Sequence, residues 1–275
     1  MSRWDWLIDH ARLEIYDFSI DTQTNFSVYD RYLPFYVMSY IQEGLTRVTV
    51  DGQTVDLPAG SMMLIPAYTR HSQFMPEGAA PTTFLWWHFN ITVGGLDLMK
   101  LLRFPFVAAV RDTHAFEALF YEYRQCSSQH SSLPGIIKRR AKEYEIMAFL
   151  FSSITEDSNA PGSHVEDIPD AFFDMMKFII EHPEHNVTLE DLSARYYLNP
   201  SYISTRFRKL FGVSPVRLHH QVVTDHAMAA LREDAACTVS SLAQRYGFRD
   251  VSSFTHFFKA RVGCSPSDYR RKYFG

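Results

Sequence analysis

The last hundred or so residues of the chain repeat themselves, and this constrains the fold more than any other feature. LSARY at 192–196 matches LAQRY at 242–246, fifty residues later. After one inserted residue near Arg249 the offset becomes fifty-one: Ile203 pairs with Phe254, Phe207 with Phe258, Arg208 with Lys259, Gly212 with Gly263, Ser214 with Ser265 and Pro215 with Pro266. Self-similarity at this period marks a duplicated supersecondary unit. Each copy reads as a short helix, a tight turn, a longer helix, a Gly stop and a Ser-Pro restart, which is the layout of a helix-turn-helix.

Local signals agree with that layout. Ile168, Phe172, Met175, Met176 and Ile179 share one face of a helix that Pro183 stops. Thr188 and Asp191 are spaced as a capping box, and Asn199-Pro200 and Ser214-Pro215 are N-cap and first-turn proline pairs. In the longer helices Ile203, Phe207 and Leu210, and Phe254, Phe257 and Phe258, form the predicted buried stripes. Ser201, Ser204, Thr205 and Arg208 then project outward, as do Ser252, Ser253, Thr255, His256 and Lys259. Short hydroxyl side chains at the front of a helix allow close approach to base edges, and Arg or Lys toward its end can hold phosphates. A helical bundle with ordinary surface serines would show the same faces, but not the duplicated caps and basic ends.

Charge supports a nucleic-acid partner only when it is divided. The chain of 275 residues carries a net charge of −4. Up to Asp167 there are 13 Lys and Arg against 20 Asp and Glu, and from Ile168 onward 14 against 11. Arg195 to Arg217 holds Arg195, Arg206, Arg208, Lys209 and Arg217 with no acid, and Lys259 to Lys272 forms a second basic cluster. Such clusters act on phosphates at short range, where salt screens least.

From about Phe35 to Phe89 the sequence favours short strands separated by turns, around a two-residue Asp51-Gly52 hairpin signal. This spacing points to a small barrel or sandwich. Helices are predicted at Thr113–Gln129 and Ile136–Ile154, either covering the barrel or offering a seam to a second subunit. EDSNAPGSHVED at 156–167 reads as a linker. Cys126, Cys237 and Cys264 form neither a disulfide framework nor a metal-ligand spacing, and no stretch approaches a membrane span, so a reduced cytoplasmic protein is expected.

The segments VTLEDLSARYYLNPSYISTRFRKLFGVSP and YGFRDVSSFTHFFKARVGCSPSDYRR resemble the DNA-binding domain of the AraC/XylS transcription regulators, over about 105 residues from Ile168 to Tyr273. The resemblance implies seven helices whose two recognition helices enter successive major-groove segments. Its base-reading positions fall on Ser201, Ser204 and Thr205, and on Ser252, Ser253 and His256, with Arg206, Arg208, Lys209 and Lys259 beside the backbone. Tyr197 stands where the family usually has a turn glycine, Val223 where arginine is common, and Ser241 where glutamate is common.

YIQEG at 40–44, VDGQTVDLPAGSMMLIPAYTRHS at 50–72 and WWHF at 86–89 resemble the cupin-like sensor domain of the same regulators, whose barrel binds a small effector, often a sugar. Strand alternation puts Trp86 and His88 on one face and Trp87 on the other. Trp86 could stack on a sugar ring, with Arg31, His71 or His88 supplying hydrogen bonds, although strand aromatics are commonly core. His71 and His88 alone do not complete a metal site, and neither a metal nor a cofactor is expected.

The expected architecture is thus multidomain α+β: a cupin-like barrel at 1–112, a helix pair at 113–155, a linker at 156–167 and an all-α domain at 168–275 with helix-turn-helix units near 189–212 and 239–263. The expected function is a homodimeric regulator, more an activator than a repressor, that binds double-stranded promoter half-sites and an effector and works beside RNA polymerase. Two rivals remain open: a regulator whose barrel serves only dimerisation, and a cupin enzyme fused to a DNA-binding tail.

Overall fold

The structure, a computed structural model, describes residues 2–101, 106–127, 132–155, 167–234 and 236–274. Gln129 and the predicted linker, apart from Asp167, lie outside them. The chain forms two compact units. One comprises 12–91 and 102–163; the other joins 1–11 and 92–101 to 164–275. Segments 1–11 and 92–101, which the sequence reading groups with the barrel, therefore cluster with the C-terminal helices.

In the first unit the strands are hydrogen-bonded as two open sheets. One carries β1 (Ala11–Gln23), β8 (Thr82–Val93), β3 (Tyr36–Glu43), β6 (Ser61–Ile65) and β10 (Val107–Ala109) in that order; the last two residues of β8, Thr92 and Val93, pair with β9 (Leu96–Asp97) within the other unit. The other runs β2 (Ser27–Arg31), β7 (His71–Phe74), β4 (Leu45–Val50), β5 (Gln53–Pro58). Val37, Ile41, Met63, Ile65 and Phe84 of the first sheet meet Val48 and Leu57 of the second in one apolar cluster. The β4–β5 hairpin closes with Val50 opposite Gln53, and its central residues Asp51 and Gly52 take φ of 49° and 78°, the positive angles of a type I′ turn.

The helix pair is α2 (Thr113–Ser127) and α3 (Leu133–Thr155). Pro134 and Gly135 lie in the first turn of α3, where a missing N–H costs nothing, instead of separating the helices. Phe116, Phe120 and Tyr123 of α2 are buried, Phe116 edge-on to Tyr40 and Tyr123 edge-on to Trp87. Glu117 accepts hydrogen bonds from the Tyr40 hydroxyl at 2.6 Å and from Gln42 at 2.8 Å. α2 is thus the cover of the β3–β8 face. α3 leaves Leu133, Ile136, Ile137 and Tyr144 exposed.

The second unit opens with α1 (Arg3–Asp9), whose Ser2 and Asp5 form a complete capping box. Trp6, 1% exposed, donates to Glu181 at 2.7 Å and packs edge-on against Phe173. Gly94 and Gly95 both have positive φ, and a Cβ on Gly95 would lie 2.4 Å from Gln221, whose side-chain amide donates to the Gly95 carbonyl at 3.0 Å. Only glycine fits so close an approach.

Seven helices follow: α4 (Asp170–Glu181), α5 (Leu189–Tyr196), α6 (Pro200–Phe211), α7 (Pro215–Glu233), α8 (Val239–Arg245), α9 (Val251–Val262) and α10 (Pro266–Phe274). The predicted caps operate: Asn199 Oδ1 accepts from Ser201 N, and Ser214 Oγ from Arg217 N. At α5 the box is only half formed. Thr188 Oγ1 accepts from Asp191 N at 3.1 Å, but Asp191 takes its proton from the Thr188 hydroxyl, not from the backbone. The buried stripe of α6 is Ile203, Phe207 and Phe211, with Leu210 only half-buried, because a spacing of four keeps Phe211 on the packed side. Phe254 and Phe258 of α9 are wholly buried against Val223, Ala227 and Leu231 of α7, and Phe257 packs beside them half-buried. Each such buried phenylalanine contributes about 1.5–3 kcal/mol. Val223, 1% exposed, is core, which accounts for an apolar residue there.

Candidate nucleic-acid interface and ligand cavity

The two copies place their longer helices, α6 and α9, behind turns of unlike chemistry. Tyr197 caps α5 in the left-handed region at φ 54°, ψ 37°, and is 94% exposed. Gly247, at the corresponding place after α8, has φ 70°. The turn is three residues long in the first copy and five in the second, and each holds one residue at positive φ, a strained tyrosine in the first and an unstrained glycine in the second.

On α6, Ser201, Thr205, Arg208 and Lys209 are exposed, and Ser204 and Arg206 half-exposed. On α9, Ser252, His256 and Lys259 are exposed, and Ser253 and Thr255 half-exposed. Positions 201, 204, 205 and 208 make one face, as do 252, 255, 256 and 259. Two hydroxyl positions are partly committed to the helix. Asp250 caps α9 through Ser253 N at 2.7 Å, and its carboxyl is held down to about 2 by that bond and by Arg249. Thr255 Oγ1 donates to Val251 O at 2.7 Å. No ion pair involves Arg206, Arg208, Lys209 or Lys259 among the described residues. Arg261, by contrast, lies over the Phe257 ring at 3.9 Å and donates to His220 Nδ1 at 2.9 Å, so it is turned back toward α7.

A cavity of about 250 Å³ opens between the two sheets of the first unit. Trp86, His88 and Arg31 line it, together with Asp21, Gln23, Ser39 and Gln73. Trp86 Nε1 donates to Asp21 Oδ2 at 2.7 Å, and the Trp86 and His88 rings lie 4.7 Å apart. Trp87 faces the other way and is fully buried. His71 is buried with its Nδ1 3.0 Å from Thr69 O and does not line the cavity, although it pairs with Arg31 across β2 and β7. Burial and the Arg31 charge push His88 down to about 4, so it is a neutral imidazole at ordinary pH. Burial also pulls the Arg31 guanidinium below its usual value.

Asp21, Gln23, Ser39 and Gln73 are absent from the sequence candidates. Asp21 and Gln23 sit at the end of β1, a strand the reading from Phe35 onward omits. Its apolar residues change parity, from Leu13 and Ile15 to Phe18 and Ile20, so no single alternating face marks the strand in the sequence.

A polar cavity beside an aromatic ring and a pair of duplicated, basic-ended helix-turn-helix units define a class: a ligand-responsive DNA-binding regulator. Two family models match, the AraC-like ligand binding domain over residues 18–135 and the helix-turn-helix domain over 192–272. The chain belongs to the AraC-type transcription regulators, with an N-terminal ligand-binding domain and a C-terminal helix-turn-helix DNA-binding domain.

Among its relatives, the HTH-type transcriptional regulator YdiP of Escherichia coli is 23% identical over 85% of this chain and 78% of its own length. The Msm operon regulatory protein of Streptococcus mutans is 23% identical over 86% and 84%. The raffinose operon transcriptional regulatory protein RafR of Pediococcus pentosaceus is likewise 23% identical over 86% and 84%. Among solved structures, ToxT of Vibrio cholerae aligns over 97% of this chain and 100% of its own at 15% identity, with a TM-score of 0.41. No helix among the described residues is long and apolar enough to cross a membrane.

Proposed function

We propose that this regulator is a cytoplasmic homodimer that senses a sugar in the cavity beside Trp86 and activates transcription from promoter half-sites beside RNA polymerase. The cavity carries the reading. An aromatic face matches the apolar side of a sugar ring, and Asp21, Gln23, Ser39, Gln73, Arg31 and the neutral His88 offer donors and acceptors for its hydroxyls. At about 250 Å³ it is smaller than the ~300–1,000 Å³ of drug-sized sites and has room for a single ring. Two relatives of full-length similarity are named for operon regulation, one of them the raffinose operon. An open polar cavity also counts against a barrel used only for dimerisation, and no reaction is assigned to it.

On DNA, Ser201, Ser204, Thr205, Ser252, Ser253 and His256 are the base-reading positions in this proposal, with Thr255 beside them. Arg206, Arg208, Lys209 and Lys259 hold phosphates. The exposed Leu133, Ile136, Ile137 and Tyr144 of α3 supply the dimer seam.

The test is a thermal-shift panel of mono- and oligosaccharides on the full chain and on Trp86→Ala. At least one sugar should raise the midpoint of the wild type and not that of the variant. If no sugar shifts the wild type, or the variant shifts equally, the sugar assignment fails.

A further inference from the structure

The turn between α4 and α5 carries the sequence His182-Pro183-Glu184-His185, which no function described above uses. His182 caps the end of α4, and His185 N donates to His182 O at 3.1 Å, which closes the turn. The turn is held from outside as well: His219 of α7, itself buried, has its Nε2 3.0 Å from the Pro183 carbonyl. The His182 and His185 rings both pack against Phe178, at 5.2 and 5.8 Å, which limits how far either can swing.

Three donor atoms meet there. His182 Nδ1 lies 3.4 Å and His185 Nδ1 3.5 Å from the same Glu184 oxygen, and one ligand atom from each residue lies within 4.8 Å of the others. Those separations exceed the ~2.7–3.2 Å of a good N–H···O bond. They do match a coordination edge: ligands about 2.05 Å from a tetrahedral zinc ion are roughly 3.4 Å apart. Two edges of the triangle are therefore already close to that length, and the third, within 4.8 Å, closes by small ring adjustments of the kind the Phe178 packing allows. Side-chain exposures of 45%, 45% and 60% leave the cluster open to an entering ion and to water in the remaining position.

We propose that His182, Glu184 and His185 form a binding site for one divalent transition-metal ion, zinc foremost, with two imidazole nitrogens and a carboxylate as ligands. Two nitrogens and a carboxylate with an open fourth position is a zinc donor set, and nickel or copper would compete by the general affinity order. A bound ion ties the end of α4 to the entry of α5, the first helix of the first helix-turn-helix.

The experiment is calorimetric titration of zinc chloride into the full-length, tag-free protein at pH 7.5, repeated with His182→Ala/His185→Ala and with Glu184→Gln. All three side chains are about half-exposed, and Glu184→Gln, the mildest change, keeps the test readable if the double variant folds poorly. The expected result is one saturable ion per wild-type chain, loss of that site in the double variant and at least about tenfold weaker binding in Glu184→Gln, on the scale of losing one ordering group at a metal site. Zinc should also raise the wild-type melting temperature and not that of the double variant. Cobalt(II) substitution separates this site from Cys126, Cys237 and Cys264, since thiolate ligation adds sulfur-to-metal charge-transfer absorption. Absence of saturable binding to the wild type, equal binding by the double variant, or a thiolate spectrum each overturns the proposal.

Discussion

The two turns at Tyr197 and Gly247 are a matched pair on which the cost of a left-handed residue can be measured. Tyr197 holds φ 54° with its ring 94% exposed, so replacing it with glycine removes almost no buried surface. An L-residue in that region costs roughly 1–2 kcal/mol, whereas glycine occupies it freely but loses about 0.4–1 kcal/mol through its larger unfolded-state freedom. Tyr197→Gly should therefore stabilise the helical unit by about 0.5–1 kcal/mol, a rise of roughly 2–4 °C in its calorimetric midpoint. Gly247→Ala runs the comparison backward. Its φ is 70° and a Cβ there meets nothing within 4 Å, so the change is conformational only and should cost about 0.5–1 kcal/mol. Scanning calorimetry of the full chain, read on the transition of the helical unit, measures both. If Tyr197→Gly is neutral or destabilising while Gly247→Ala destabilises, the Tyr197 backbone is not the strained element and the reasoning is wrong.

Acid stability is the second prediction. His88 is held down to about 4 by burial and Arg31, against about 6.5 unfolded, so the unfolded chain binds the proton first. Its contribution is complete above about pH 6.5 and is lost as pH falls toward 4, amounting to roughly 3 kcal/mol; His88→Gln should flatten that limb in pH-dependent denaturant melts. On DNA, Arg208→Ala should weaken specific and random duplexes alike and lower the salt slope by about one, whereas substitution of His256 should change preference at particular base pairs by about 1–3 kcal/mol in competition binding. Ile137→Glu on α3 should shift a dimer toward monomer in analytical ultracentrifugation, with the melting temperature little altered; an unchanged sedimentation profile would place the seam elsewhere.

The helical domain was readable because its signals are local. Asn199-Pro200, Ser214-Pro215, the glycine stops and the repeat each fix a helix end within a few residues, and the structure has its helix ends there. The Asp51-Gly52 hairpin was readable for the same reason. β1 was not, because neither of its faces is cleanly buried: of Ala11–Gln23 only Leu13 is fully enclosed, so burial does not sharpen the alternation. Losing β1 lost Asp21 and Gln23, and with them a third of the polar side chains that line the cavity. Trp86 could be placed on a face by parity, but its bond to Asp21 joins residues 65 apart and follows from tertiary packing alone. α1 was within reach, since Ser2 and Asp5 have capping spacing, yet what its Trp6 packs against depends on a helix that lies some 170 residues further along the chain.

The long helix α7 has a consequence for the operator. At 19 residues it spans about 28 Å, and its core residues Val223, Ala227 and Leu231 are locked into the second copy while its start follows directly on the first. With α6 and α9 reading DNA as proposed above, it would act as a fixed spacer between the two. A duplex presents the same groove once per ~34–36 Å turn, so a stiff spacer converts protein geometry into a demand on helical phase. Adding or removing a few base pairs between the two contacted segments would rotate one of them away, and only a whole turn would restore the facing without restoring the distance. On that proposal, an operator for this chain would be defined by the interval between its segments as much as by the bases within them.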